Sequence, residues 1–267
     1  MQTGMVDVHA HLCFDTLAQE RERVAAACEA EMAAVIVGSA RYDEGLCALG
    51  LASRHKRLFP TIGYHPVEGG TGVDDIIRLA RKSSRGIVGI GEVGLDHHWE
   101  KDPARRLAQK KVFSRFISLA SELGKPLVIH SWDAEAECFE MVRDVDVPVV
   151  FHCYSGPREL ATQIIGCGFY ISFSTQVLFS KSSRKLARDV PLDRMVLETD
   201  SPFLSPYGYL RAKGHEDLLK PGFDPEKNYP WNVRFSAEKI AEIKGVGIAD
   251  VISRTAGNAS RIFGLQV

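Results

Sequence analysis

Eight short runs of apolar, largely β-branched residues recur along the chain. Each is followed by a segment with helical spacing or a long connection, and this alternation restricts the fold more than any other feature. The runs are Met5–His9, Ala33–Ser39, Leu58–Gly63, Ile87–Glu92, Pro126–His130, Val147–His152, Phe169–Ser174 and Met195–Thr199. They are apolar almost throughout rather than alternating, as parallel strands covered on both faces require. Helices are expected between them at Leu17–Met32, Glu44–His55, Val73–Arg81, Pro103–Leu123, Ala134–Val145, Pro157–Gly166 and Ser182–Arg188. The clearest is Pro103–Leu123. It opens on Asp102-Pro103, a capping side chain followed by proline at the first helical position, and Gly124 and Pro126 stop it. Its apolar stripe is expected to include Leu107, Val112, Phe113, Phe116, Leu119, Ala120 and Leu123. The repeated strand–helix unit predicts an α/β fold, a (β/α)8 TIM barrel. A length of 267 residues suits one such domain, covering 1–267. After the eighth run comes a long loop, from Ser201 to about Asn232, and then two helices, Val233–Lys244 and Ile248–Phe263.

The formal net charge is −1, so no global basic field draws the chain to nucleic acid, and a polyanion would have to be held by a local device such as metal ions in a cleft. The six cysteines (13, 28, 47, 138, 153 and 167) are scattered and form no C-x-x-C pair. With this much core available, no disulfide framework is expected, and a cytoplasmic location follows. Neither a signal-peptide stretch nor a run long enough to span a bilayer is expected, so no membrane partner is either. The basic stretches Arg78–Arg85 and Lys181–Arg188 read as solvated helix faces.

The chemistry collects where the strands end. Five of the nine histidines lie at or just past an apolar run: His9 and His11, His65, His130 and His152. Glu92 and Asp200 occupy the same kind of position. In a (β/α)8 barrel all strand ends open onto one face, so these residues can converge although they are far apart in sequence. Residues two apart in a strand point the same way, so His9 and His11 can face one ion, with Asp7 continuing the row as a partner to orient an imidazole. The donor set is nitrogen and oxygen without cysteine, which favours zinc, magnesium or manganese over a thiolate-bound structural metal. Six candidate ligands (His9, His11, Glu92, His130, His152 and Asp200) exceed the three that one catalytic tetrahedral ion usually takes from protein. Two divalent metal ions about 3.5–4 Å apart use the set well. Glu92, expected to end the fourth strand, is the natural bridge. His9, His11 and Asp200 would hold one ion, and His130 and His152 the other.

The blocks Asp7–Leu12, Gly63–Pro66, Gly91–Asp96, Pro126–Ser131, His152–Gly156, Leu197–Pro202 and Thr255–Phe263, taken in order, resemble the TatD-family metal-dependent deoxyribonucleases of the amidohydrolase superfamily. The resemblance runs nearly from end to end. It implies the same barrel, the same six metal ligands, and hydrolysis of phosphodiester bonds in DNA, often from the 3′ end, by a water that two metal ions activate. Asp200 and Glu92 would be catalytic, Asp200 as the general base. His65 would touch a substrate phosphate, Glu198 would support the ligands, and Asp96 would either do the same or close the turn after the fourth strand. The implied partner is DNA or a nucleotide phosphodiester, acted on by a monomer or weak homo-oligomer.

Three stretches depart from the family pattern. Trp132 stands where the family often carries an arginine, which exchanges a phosphate grip for an indole that either stacks on a base or packs over the barrel mouth. The segment after the eighth strand is stretched by an insert, Tyr207–Lys227, ahead of Asn228-Tyr229-Pro230, and this loop is expected to shape substrate access. His97-His98-Trp99 replaces a more usual aromatic pair. A competing expectation keeps the fold and changes the bond: a small-molecule amide, ester or lactone hydrolase. Related barrels often bridge two metals with a modified lysine, and no lysine ends a predicted strand here.

Overall fold

Every one of the eight apolar runs is a strand in the computed structural model, which describes residues 4–70 and 72–266. In chain order the strands are β1 (Val6–Ala10), β2 (Ala34–Val37), β3 (Leu58–Ile62), β4 (Gly89–Asp96), β5 (Leu127–Trp132), β6 (Val149–Phe151), β7 (Tyr170–Phe173) and β8 (Met195–Leu197). Each pairs in parallel with the next, in the order β1 to β8. The helices are α1 (Arg21–Glu31), α2 (Tyr42–Arg54), α3 (Val73–Lys82), α4 (Pro103–Leu123), α5 (Glu135–Val142), α6 (Arg158–Gly166), α7 (Lys181–Asp189), α8 (Tyr207–Ala212), α9 (Val233–Lys244) and α10 (Ile248–Phe263). Strands alternate with helices as a (β/α)8 barrel requires. No helix among the described residues is long and apolar enough to cross a membrane.

The two ends of the sheet meet. Asp200 N donates to His9 O at 3.0 Å, and His11 N donates to Ser201 O at 2.6 Å. A buried carboxylate reinforces this seam. Asp7 Oδ1 accepts from the backbone N–H of His9 at 3.1 Å and of Thr199 at 3.0 Å, and Asp7 Oδ2 accepts from Thr199 Oγ1 at 2.6 Å. Asp7 therefore joins β1 to the end of β8; it does not orient an imidazole as its place in the row suggested. Its carboxylate is taken up by two backbone N–H groups and the Thr199 hydroxyl before any ring can reach it.

Local sequence sets most element ends. In α4, Asp102 Oδ1 caps Ala104 N at 2.9 Å, Pro103 opens the helix, and Gly124 closes it with φ +60°. Its buried stripe starts later than the spacing suggested. Leu107 is exposed, and Gln109 turns inward instead, donating to Pro66 O and accepting from Asp96 N. β4 runs four residues past its expected end. Its register shifts between Ile90 and Val93, so Glu92 sits at a bulge inside the strand rather than at its tip. An extra residue at a bulge re-aims the side chains beside it. The long connection after β8 is not all loop, because residues 207–212 form α8. Cys13 and Cys47 are joined as a disulfide with Cα atoms 5.9 Å apart, and the other four cysteines are thiols. One covalent link between the loop after β1 and α2 thus stands where none was expected.

The helix α10 covers the N-terminal end of the barrel. Ala256, Ala259, Ile262 and Phe263 pack with Ile36, Val128, Val150 and Val196 of the strands. A Cβ on Gly89, the first residue of β4, would lie 3.5 Å from the Phe263 ring. Asn258, buried on this helix, donates from Nδ2 to Leu192 O at 2.7 Å and Met195 O at 2.8 Å, fixing α10 to the start of β8. Its replacement by alanine leaves two carbonyls without these bonds, each worth about 1–3 kcal/mol when buried unsatisfied. Asn258→Ala is expected to lower unfolding stability by about 2–4 kcal/mol, read as a shift of the urea midpoint at unchanged slope. A change under about 0.5 kcal/mol would show that the tether contributes little.

Candidate metal centre

The candidate ligands come from β1, β4, β5, β6 and β8, and the barrel brings all six to one end. His9 and His11 lie on and just after β1 with their Nε2 atoms 3.0 Å apart. His11 Nε2 lies 3.4 Å from Glu92 Oε1 and 3.6 Å from Asp200 Oδ1. On the other side of Glu92, His152 Nε2 lies 3.0 Å from Oε2, and His130 Nδ1 lies 3.3 Å from His152 Nε2 and 3.7 Å from Oε2. The single carboxylate of Glu92 thus faces two imidazole pairs.

Close approach of backbones makes this possible. A Cβ on Gly63 would lie 2.3 Å from Glu92 O, and one on Gly38 would lie 2.9 Å from the His9 ring, so the ends of β3 and β2 can press against these residues only as glycine. Asp200 follows β8 with φ +59°, a left-handed conformation that aspartate tolerates better than most side chains. The loop that presents it is tied from below by buried Asn228. Its Nδ2 reaches Thr199 O at 2.9 Å and Thr175 Oγ1 at 3.0 Å, while its Oδ1 accepts from Tyr229 N and Asn232 Nδ2.

Two further carboxylates hold the rings. Asp96 Oδ2 pairs with His130 Nε2 at 3.0 Å, leaving Nδ1 for the centre. Glu198 Oε1 faces His152 Nδ1 at 3.5 Å, and its Oε2 accepts from Ser172 Oγ at 2.6 Å. His65 stands one position further out. Its Nδ1 accepts from Val67 N at 3.3 Å, so its proton sits on Nε2, which lies 3.9 Å from Glu92 Oε1. Burial, against the pull of Glu92, pushes the His65 imidazolium down to about 3, so the ring is neutral.

Electrostatics agree with a cation at the centre. Burial holds His9 well below the usual imidazole range and lowers His11, which keeps their lone pairs free. For Glu92, burial opposes charge, but the His152 imidazole bonded to it, which Glu198 and Glu92 push well above the usual range despite burial, holds the carboxyl low. Burial, then Glu198 and Glu92 against the pull of His152, push Asp200 up. Two imidazole nitrogens 3.0 Å apart, with carboxylate oxygens beside them, aim lone pairs at one point and repel unless a positive group stands between them. Donor atoms of His9, His11 and Glu92 lie within 4.8 Å of one another, as do those of His9, His152 and Asp200 and those of His65, Glu92 and His130. Bonds of about 2.0–2.2 Å to one ion put its donors about 3–4 Å apart, so the spacing fits.

Above the centre opens a cavity of about 520 Å³. Trp132 and His65 line it. Trp99, Cys153, Gln176, Phe203 and Leu204 also line it, and the sequence reading did not single out the last four. Cys153 and Gln176 lie two and three residues past the ends of β6 and β7, which is the signal that would have found them, whereas Phe203 and Leu204 lie six and seven residues past β8. Tyr207–Lys227, expected to shape access, does not line the cavity.

The sequence profile described as TatD related DNase matches residues 6–264. The chain is 31% identical to the metal-dependent hydrolase YabD of Bacillus subtilis, over 97% of this chain and 98% of that one. It is 27% identical to the deoxyribonuclease TATDN3 of Homo sapiens, over 97% of this chain and 94% of that one. A TatD family hydrolase of known structure from Entamoeba histolytica superposes with a TM-score of 0.84 at 19% identity, over 98% of this chain and 99% of that one. With a profile match covering nearly its whole length, the chain belongs to the TatD family of metal-dependent hydrolases.

Proposed function

We propose that the protein is a deoxyribonuclease that hydrolyses DNA phosphodiester bonds with two divalent cations, zinc, magnesium or manganese. The observation that carries this reading is the position of Glu92, with Oε1 3.4 Å from His11 Nε2 and Oε2 3.0 Å from His152 Nε2. A carboxylate so placed can serve two cations at once, one held with His9, His11 and Asp200 and one with His130 and His152. The name of the human relative supports a nucleic-acid substrate. Bound there, such cations lower the pKa of a water and offset charge on a phosphoryl oxygen.

The chain's own residues do the rest. Asp200, which follows β8, accepts the proton of the attacking water. Neutral His65 presents Nε2–H to the cleft and donates to a phosphate oxygen. Asp96 and Glu198 fix which ring nitrogen of His130 and His152 points inward. Trp132 contacts the substrate beyond the phosphate. Every candidate ligand comes from one chain, so a monomer suffices.

Chelator treatment is expected to abolish cleavage of single-stranded DNA and of bis(4-nitrophenyl) phosphate, and added Mn²⁺, Zn²⁺ or Mg²⁺ to restore it. Asp200→Asn is expected to lower kcat by about 10²–10⁴-fold. A panel that includes amides and lactones decides the bond: turnover of those by the metal-loaded protein, with no phosphodiester cleaved, would replace this reading with a small-molecule hydrolase. Glu198→Gln is expected to weaken Mn²⁺ or Zn²⁺ binding about 10- to 100-fold by titration calorimetry. An unchanged affinity would mean that Glu198 does not hold His152 for a metal.

A further inference from the structure

The phosphate-binding end of the cleft carries carboxylates beside its histidines, and no permanently charged cation stands there to grip a phosphate backbone. Glu92, Asp96 and Asp200 line it, and among its described lining residues there is neither lysine nor arginine. What surrounds the mouth instead is aromatic. Trp99 is 69% exposed, Trp132 41% and Phe203 43%, although large apolar rings ordinarily seek burial. Their placement is ordered. The His98 imidazole stacks on the Trp132 indole with centroids 4.0 Å apart and planes 8° apart, and His98 Nδ1 lies 3.1 Å from Asp133 Oδ2. Trp99 stands edge-on to Trp132 at 6.0 Å and 83°. His98 does not line the cavity, so it backs the indole from outside while Trp132 and Trp99 face in.

The rings are also in register with the chemistry. Trp132 pairs with Asp96 across β5 and β4, and His97 N donates to Trp132 O at 2.9 Å. Asp96 Oδ1 accepts from Trp99 N at 2.7 Å while its Oδ2 holds His130. One carboxylate therefore fixes both a candidate metal ligand and the aromatic wall. Trp132 lies two residues beyond His130 on the same face of β5, about 6.6 Å along the strand. On the far side, Phe203 follows β8, which stands opposite β4 in an eight-stranded ring, and it packs edge-on against Phe14 at 5.2 Å.

We propose that Trp132 and Trp99, braced by His98 and faced by Phe203, form an aromatic clamp that selects the substrate by stacking an unpaired nucleobase rather than by a cationic grip on the phosphate backbone. The inference rests on the phosphodiesterase reading above and adds the feature of the substrate that is recognised. A cavity of about 520 Å³ takes a group the size of one nucleotide. A base held in a duplex cannot present its face to an indole, so the clamp favours a strand end or an unpaired stretch.

The test uses full-length, metal-loaded protein and a nuclease-resistant phosphorothioate octanucleotide, single-stranded and fluorescently labelled, with binding read by anisotropy. Trp132→Ala is expected to weaken binding 5- to 150-fold, the range for one lost stacking contact of about 1–3 kcal/mol, and Trp132→Phe to recover most of it. Removing the terminal base at one end or the other is expected to weaken wild-type binding by a similar factor and Trp132→Ala binding by less. Between about 50 and 200 mM salt the Kd is expected to change less than 10-fold, whereas six to ten phosphate–cation contacts would weaken binding about 10³–10⁵-fold. Unchanged affinity in both Trp132→Ala and Trp99→Ala overturns the clamp, and so does a steep salt dependence or indifference to the terminal base. Turnover of unmodified oligonucleotide separates the two levels. Cleavage by wild-type protein with no rise of KM in Trp132→Ala removes the clamp alone. Absence of phosphodiester cleavage by wild-type protein removes the phosphodiesterase reading, and the clamp with it.

Discussion

The buried carboxylate of Asp7 is the contact on which the rest of this structure depends. It accepts from His9 N, Thr199 N and Thr199 Oγ1, so the first strand and the residue after the last are held by one side chain. Burial would drive an unpartnered carboxylate out of its charged form, and it still pushes the Asp7 carboxyl well above its usual range despite these donors. The arrangement positions more than the seam. His9 and Asp200 are immediate neighbours of the bonded groups, so barrel closure and convergence of the candidate ligands are one event. The tether through Asn228 extends the same logic outward, because it pins Thr199 O, next to Asp200, to the segment that returns from the long β8 connection.

The polar centre opposes the barrel that carries it. Four imidazoles and two carboxylates share a buried volume in which donors are scarce: His9 Nδ1 has no hydrogen bond, and His152 Nδ1 and Glu198 Oε1 have only each other, at 3.5 Å. Four non-glycine residues near the same mouth, Asp133, Cys153, Asp200 and Leu204, hold positive φ angles. Such conformations cost of order 1–3 kcal/mol each, and they persist where the surrounding structure over-determines them. The surroundings here are strands buried along nearly their whole length and an N-terminal end sealed by α10. Stability gathered at that end offsets strain at the other, the usual division of a (β/α)8 barrel between a stability face and an active face.

Much of this was legible in the sequence because the responsible signals are local or periodic. Doubly buried parallel strands read as continuous apolar runs, and α4 announces both of its ends through Asp102-Pro103 and Gly124. The six candidate ligands were legible for the same reason, since strand ends share one face. What stayed hidden depends on distance between segments. The bulge that re-aims Glu92 is a matter of register between β4 and β5. The turn of Gln109 into the core answers an unpaired N–H on Asp96, thirteen residues earlier. Asp7 could be seen to lie in the row of His9 and His11, but not to be engaged already by Thr199, 192 positions away. The Cys13–Cys47 bond likewise follows from the loop after β1 meeting α2, which no C-x-x-C spacing signals.

Trp132 shows how a single departure from a family pattern becomes interpretable only in three dimensions. As a letter in the sequence it marks the loss of a cation where phosphate would be gripped. In the structure the loss extends to the whole cleft, whose described lining holds carboxylates and histidines but neither lysine nor arginine. A substrate anion would then gain attraction only where cations sit, at the floor between Glu92 and its histidines, and nothing would draw the rest of a backbone inward. Binding selectivity must come from groups that do not depend on charge, and a ring stacked between aromatic walls supplies it over short range. Because Asp96 holds both His130 and the Trp99 backbone, the distance from the stacking wall to the reacting phosphate is set by one carboxylate rather than by a mobile loop. Fixing that distance decides which bond of a bound strand reaches the centre, so selection of the base and selection of the bond are the same geometric act.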